Sequence, residues 1–184
     1  SMRMRRIAYI LLFSLLLVSC GTRSGYFKME GRFLHMNQGE LYVYSPDGSI
    51  NGLDTIKIEA GRFSYEKPCS KPSTLIIIFP NYSSQPIFAE SGEAVDVKAD
   101  ASHLKEMEVE GTKNNELMTK FRKQIASVSP PEEMKYAITF INDHPESPVS
   151  VYLLNRYFIQ TESPDYSQAA KLLWVLMKEQ PENT

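Results

Sequence analysis

An α+β chain is the fold class this sequence predicts: an antiparallel β-sandwich or open barrel, followed by a short antiparallel helical segment. Two observations predict it. Between Tyr26 and Gly111, short runs of β-branched and aromatic residues are broken at regular intervals by glycine, proline, asparagine and aspartate, the pattern of many short strands. After Gly111 the apolar period changes to i, i+3, i+4, i+7, and Ser-Pro pairs at 129–130, 147–148 and 163–164 stand where helices would begin.

The strands are expected at 26–35, 40–45, 53–59, 62–67, 73–79, 85–90, 94–98 and 106–110. Asn37-Gln38-Gly39, Pro46-Asp47-Gly48, Ala60-Gly61, Pro80-Asn81 and Ser91-Gly92 supply turns between them. With Ala60-Gly61 as a two-residue turn, Glu59 pairs with Arg62, Ile58 with Phe63 and Ile56 with Tyr65, which puts the apolar members on one face. Ala60 weakens that turn, because a type I′ turn needs positive φ at both central residues. Leu75 to Phe79 is continuously apolar and reads as a central strand buried on both faces. Tyr42 and Tyr44 alternate with Leu41 and Val43, and both sets are expected to be covered.

In the helical part, Leu117, Met118, Phe121 and Ile125 share one side of a helix over 114–126. Ser129-Pro130-Pro131-Glu132 has the spacing of a capping box, and Met134, Ala137, Ile138 and Ile141 follow until Pro145. Ser147-Pro148 opens a further helix. Ser163-Pro164 opens the last one, with Tyr166, Ala169, Ala170, Leu173, Leu176 and Met177 facing inward.

Residues 1–19 read as a leader: Arg3, Arg5 and Arg6, then the apolar run Ile7 to Val18, then Ser19. That run of 12 residues is shorter than the roughly twenty needed to span a bilayer. Leu17-Val18-Ser19-Cys20 resembles the bacterial lipobox, which implies a diacylglycerol thioether on Cys20 and anchoring by two or more acyl chains. Gly21 follows, with no aspartate to suggest inner-membrane retention, so the expected place is the outer membrane, periplasmic face. Residues 20–25 then form a short flexible tether, 26–111 the β domain and 112–184 the helical segment.

The 184 residues carry 20 basic and 22 acidic side chains, a formal charge of −2. Loss of Arg3, Arg5 and Arg6 leaves 17 basic against 22 acidic, or −5. No basic stripe for nucleic acid is present. Cys69 is left without a second cysteine for a disulfide or thiol exchange, and reads as a small packed residue. His35, His103 and His144 have no metal-ligand spacing, and a shared metal would require the fold to unite them with a carboxylate. Glu132 and Glu133 read as first-turn acids that complement a helix dipole. No nucleophile elbow, phosphate-binding loop or dinucleotide glycine pattern occurs. The residues therefore point to no catalytic or metal site and to no cofactor.

Four motifs in order carry a family resemblance: Tyr26-Phe27-Lys28-Met29-Glu30-Gly31 after the lipobox; Asp54-Thr55 leading to Gly61-Arg62-Phe63; Glu90-Ser91-Gly92-Glu93; and Val109-Glu110-Gly111-Thr112-Lys113-Asn114-Asn115. With Phe140 to Pro148 they resemble the domain of unknown function found N-terminal to thioredoxin-like (AhpC/TSA-type) domains in lipoproteins of Bacteroidetes. The resemblance spans nearly all of 26–180. It implies that redox chemistry belongs to a separate thioredoxin-like domain with its own cysteine pair, absent from these residues. The expectation is a non-catalytic, membrane-anchored interaction or accessory module. Alternatives are the N-terminal accessory part of a thiol–disulfide oxidoreductase continuing beyond Thr184, or a carbohydrate- or peptide-binding lipoprotein using its tyrosines and phenylalanines. The partners expected are the membrane, through the anchor, and a protein or an attached thioredoxin-like domain.

Overall fold

The computed structural model describes residues 2–4 and 21–183; Cys20 and most of the leader lie outside them. Eight strands form two four-stranded sheets. They are β1 (Tyr26–Leu34), β2 (Gly39–Tyr44), β3 (Asp54–Ile58), β4 (Arg62–Pro68), β5 (Ser73–Ile78), β6 (Ser84–Ala89), β7 (Ala94–Asp100) and β8 (Glu108–Glu110). The first sheet has the order β4-β1-β7-β8 and the second β3-β2-β5-β6. All pairs are antiparallel except β1 with β7. Alternate residues of each strand point into the space between the sheets, where Phe27, Met29, Leu41, Ile58, Leu75, Ile77 and Ile87 are wholly buried. The α+β, sandwich-like class is thus the observed one.

The turn at Ala60-Gly61 forms, with φ of 52° and 71°. Beyond the Glu59–Arg62 bridge, however, the expected hairpin does not continue. Ile58 pairs with Gly39 and Ile56 with Leu41 on β2, whereas Phe63 pairs with Gly31 and Tyr65 with Met29 on β1. The turn carries the chain from one sheet to the other. Ile56, Ile58 and Phe63 still share one core, but across the sandwich instead of along a single sheet. The close approach of Phe63 to β1 explains Gly31: a Cβ there would lie 2.1 Å from the Phe63 ring. Two of the resembling motifs are therefore one contact.

β5 lies inside its sheet as expected, with Leu75 and Ile77 in the sandwich core and Ile76 buried on the other side. The expectation for β2 was half right. Leu41 and Val43 are buried, but Tyr42 and Tyr44 keep 39% and 37% exposure, because the helices pack mainly over β6. The last strand is shorter than predicted, and Leu104–Glu106 forms a 3-10 turn before it.

Four α-helices follow: α1 (Lys113–Ile125), α2 (Pro130–Asp143), α3 (Pro148–Leu154) and α4 (Tyr166–Glu179). A π-turn, Asn155–Ile159, extends α3. Their core is separate, built from Phe121, Ile141, Leu153, Phe158 and Leu176, with Phe88 of β6 inserted into it. Ser129 begins α2 but its side chain makes no capping bond. Ser147 Oγ does cap α3, accepting from Val149 N–H at 3.2 Å. At α4 the cap is Asp165, which accepts from Gln168 N–H at 2.9 Å and starts the helix just after the Ser-Pro pair. Ala169, Leu172 and Leu176 are buried there, whereas Tyr166, Ala170 and Met177 are exposed. Apolar residues cover so wide an arc of this helix that periodicity cannot choose which part docks.

α1 joins the two halves. Asn115, Thr119 and Arg122, at i, i+4 and i+7, are buried polar residues beside the apolar stripe. Asn115 Oδ1 accepts from Phe88 N–H at 2.9 Å and its Nδ2 donates to Phe88 O at 2.7 Å, as a neighbouring strand would. Thr119 Oγ1 makes the matching pair with Val109 N–H and O at 2.9 and 3.1 Å. Arg122 Nε donates to Met107 O at 2.7 Å.

Two stability predictions follow. Asn115→Ala strands the Phe88 N–H and C=O in a dry interior and should cost about 3 kcal/mol, read from urea unfolding. Ala60→Asn turns a strained pair into Asn-Gly and should raise Tm, since asparagine tolerates the left-handed region better than alanine; an unchanged or lower Tm would count against a strained Ala60.

Candidate functional site

The outer face of the first sheet is solvated, and the register there groups its charges by sign. Arg32 lies directly opposite Arg62 on one side and Lys98 on the other. These three cations form a row across β4, β1 and β7. Two residues along the strands, Glu30 lies opposite Asp96, and Asp96 opposite Glu110. That is a parallel row of three carboxylates. Like charges directly opposite across a sheet repel, whereas same-strand and diagonal neighbours of opposite sign attract. Among the described residues no ion pair within 4.0 Å joins Arg32, Arg62 or Lys98.

The cation row borders a groove of about 980 Å³ at the end of the sheet nearest the Ala60-Gly61 turn and the C-terminus of α1. Leu34, 65% exposed, and Ala126 give it apolar wall. The carboxylates on this side are mostly engaged. Glu108 pairs with Lys123 at 3.1 Å. Asp100 Oδ1 meets His35 Nδ1 at 2.8 Å and accepts from Ser102 N–H at 2.8 Å, while its Oδ2 lies 3.6 Å from His103 Nδ1. His35 takes φ of 62° to reach it. The His35 hydrogen bond, then that of Ser102, holds the Asp100 carboxyl at about 2.

The fold thus gathers two of the three histidines on one carboxylate. Each imidazole turns Nδ1 onto the Asp100 oxygens, and among the described residues no group of three His, Cys, Asp or Glu side chains is placed to hold a metal. His144 is elsewhere, with its ring 4.7 Å from that of Phe140 and its Nδ1 3.8 Å from Glu146. Glu132 is exposed in the first turn of α2, and Glu133 accepts the Tyr157 hydroxyl at 3.1 Å. Cys69 is buried, its Sγ donating to Lys71 O at 3.3 Å, and burial pushes the thiol up from its ordinary value.

A second polar cluster holds the β2–β3 connection. Asp47 accepts from Ser45 Oγ, Ser49 N–H, Ser73 Oγ and Thr74 N–H. Burial pushes this carboxyl up, but the hydrogen bonds of Ser45, Ser49 and Ser73 outweigh it and bring it to about 2. With every direction of the carboxylate used, this is a loop staple.

At the opposite end from the groove, residues 22–25 are bound, not loose as the tether expectation had them. Thr22 N–H donates to Gly92 O at 3.3 Å, and Gly25 N–H to Ser91 Oγ at 2.7 Å. Cys69 N–H donates to Gly25 O at 2.7 Å, and Arg23 sits 3.6 Å over the Tyr26 ring while reaching Glu66 at 3.0 Å. The cause is the Ser91-Gly92 turn, whose side chain and carbonyl face the incoming chain.

A family model described as a domain of unknown function, DUF4369, matches residues 27–118, half of the chain. The chain belongs to the DUF4369 family. No curated protein matches it. The DUF4369 match runs from β1 into α1 and includes Asn115, so it takes in the start of the α1 contact with the edge strands as well as both sheets. The motif entering α1 has a steric basis as well: Gly111 has φ of 118°, and a Cβ there would lie 2.6 Å from Ala94 O.

The Arg62–Arg32–Lys98 row could not be seen in the sequence, because nothing in it pairs Arg32 with residues 62 and 98. The Asn115–Thr119–Arg122 line was missed in the sequence, although its i, i+4, i+7 spacing beside the apolar stripe was a signal that could have found it. Titration of Asp100, followed by carboxyl carbon NMR shifts, should show a midpoint near 2 in the DUF4369 domain. In His35→Ala it should move up toward the ordinary carboxylate value near 4, and an unmoved midpoint would remove His35 as the cause.

Proposed function

We propose that this chain is a lipid-anchored envelope protein whose DUF4369 sandwich and helices act as a non-catalytic interaction or accessory module. The observation that carries this reading is the binding of residues 22–25 along the Ser91-Gly92 turn. Cys20 would be acylated by the lipobox chemistry, leaving only Gly21 between it and Thr22, the first bonded residue. At under 4 Å per residue, such a short span would hold the sandwich close to the bilayer in a restricted orientation. The groove beside Arg32 would then face away from the membrane, toward the periplasm.

A second reading, the accessory part of a thiol–disulfide oxidoreductase with a thioredoxin-like domain beyond Thr184, is favoured by one feature of α4. Tyr166, Trp174 and Met177 keep 69%, 65% and 47% exposure on adjoining parts of the helix surface. Exposed aromatic and methionine side chains grouped in this way suit contact with another domain. In either reading the residues described here bind and position, and any thiol exchange belongs to another domain.

Cys20→Ser should move the protein from the membrane to the soluble periplasmic fraction, and mass spectrometry of the wild-type N-terminal peptide should find the acyl groups. Membrane retention of the variant would refute the anchor. Sequencing the coding region past Thr184 separates the two readings: a continuation bearing a CxxC pair selects the second.

A further inference from the structure

The cation row invites a ligand that neither the family description nor the anchoring reading supplies. Three side chains of one sign stand at one level of the sheet: Arg62 and Lys98 each directly face Arg32. Cations that face one another across strands repel. On the groove side Asp100 is engaged by His35 and His103, while Glu108, directly opposite Lys98, pairs with Lys123 and leaves the Arg62–Arg32 pair without a facing acid. On the other side, Glu30, Asp96 and Glu110 form a barrier to any anion long enough to cross both rows. An extended polyanion such as nucleic acid is thereby disfavoured, and a compact one is admitted. A depression on the other side of the row also reaches the three cations, but Glu30, Glu59, Asp96 and Glu110 line it and repel an anion there; on the groove side Leu34 and Ala126 offer apolar surface.

We propose that the Arg62–Arg32–Lys98 row binds a phosphate-type oxyanion, with an apolar portion of the ligand lying in the groove against Leu34 and Ala126. A dianion with three terminal oxygens can give one oxygen to each cation, whereas a carboxylate answers only one charge and two directions. Arg32, in the middle, presents a planar fork suited to two of those oxygens. The same headgroup chemistry occurs in soluble phosphomonoesters and in phospholipids.

The test titrates the purified full-length protein with phenyl phosphate, inorganic phosphate and benzoate, following backbone amides and arginine Nε signals by NMR. Phenyl phosphate should bind tightest and perturb residues 32, 62 and 98, with benzoate at least tenfold weaker. Arg32→Gln should weaken phenyl phosphate at least tenfold without lowering Tm, because it removes a repelling charge. Arg62→Gln and Lys98→Gln give independent versions of the same loss. Lys113→Gln, at the start of α1 and away from all three cations, should bind as wild type does. Vesicles of phosphatidylethanolamine with and without phosphatidic acid identify the source: an Arg32-dependent preference for the acid assigns a lipid headgroup and overturns the outward-facing orientation of the groove, and its absence alongside phenyl phosphate binding assigns a soluble ester. Equal affinity for benzoate, or unchanged binding in all three glutamine variants, overturns the proposal. So does a salt-sensitive dimer in sedimentation without phosphate binding, which would put a second copy's acid row on these cations.

Discussion

Everything in this fold rests on the way α1 closes the open side of the sandwich. β6 and β8 are the edge strands of different sheets, and an edge strand presents unpaired N–H and C=O groups that cannot be left dry. Asn115 satisfies Phe88 on β6, and Thr119 satisfies Val109 on β8. One helix therefore takes the place of a missing strand on both sheets, using a line of polar side chains where a helix ordinarily buries apolar ones. Asn115 is itself steadied by donating to Thr112 Oγ1 at 2.7 Å.

Arg122 shows what that closure requires. It is only 2% exposed, and no carboxylate is paired with it among the described residues. Burial brings its guanidinium down to about 10, so it is charged at neutral pH. The charge is held by oxygens: Met107 O, Gln85 Oε1 at 3.2 Å and Thr119 Oγ1 at 3.3 Å. A desolvated cation bound to fixed dipoles is costly to form and costly to disturb. The clasp therefore favours one arrangement of sheet and helices over any looser one. That rigidity holds the cation row and the bound N-terminal segment at opposite ends of a single body.

The elements were largely legible and their partners were not. Alternation in Phe27, Met29 and Leu41, Val43 marks strands whatever they pair with, since side chains on successive strand residues point to opposite faces. The turn at Ala60-Gly61 was also legible, but which sheet each arm joins was not: Ile56 and Phe63 are equally buried whether they sit side by side or across the sandwich. At α4 the reading was right for Ala169 and Leu176 but not for Tyr166, Ala170 and Met177, because Leu172 and Met177 are alike in polarity and only docking separates them. Of the candidate site, single charges at 32, 62 and 98 were visible, while their alignment was not.

By itself the sequence determined the order of strands and helices, most turn positions and the α+β class. These follow from local period, turn chemistry and composition, which act over a few residues. Tertiary structure alone decided that β1 runs parallel to β7, that α1 spans two edge strands, that residues 22–25 are held against Gly92, and that three cations share one row. Each of these joins residues distant in the chain, and such pairings are selected by burying one common core and satisfying every backbone group around it, a condition that only the whole molecule can meet.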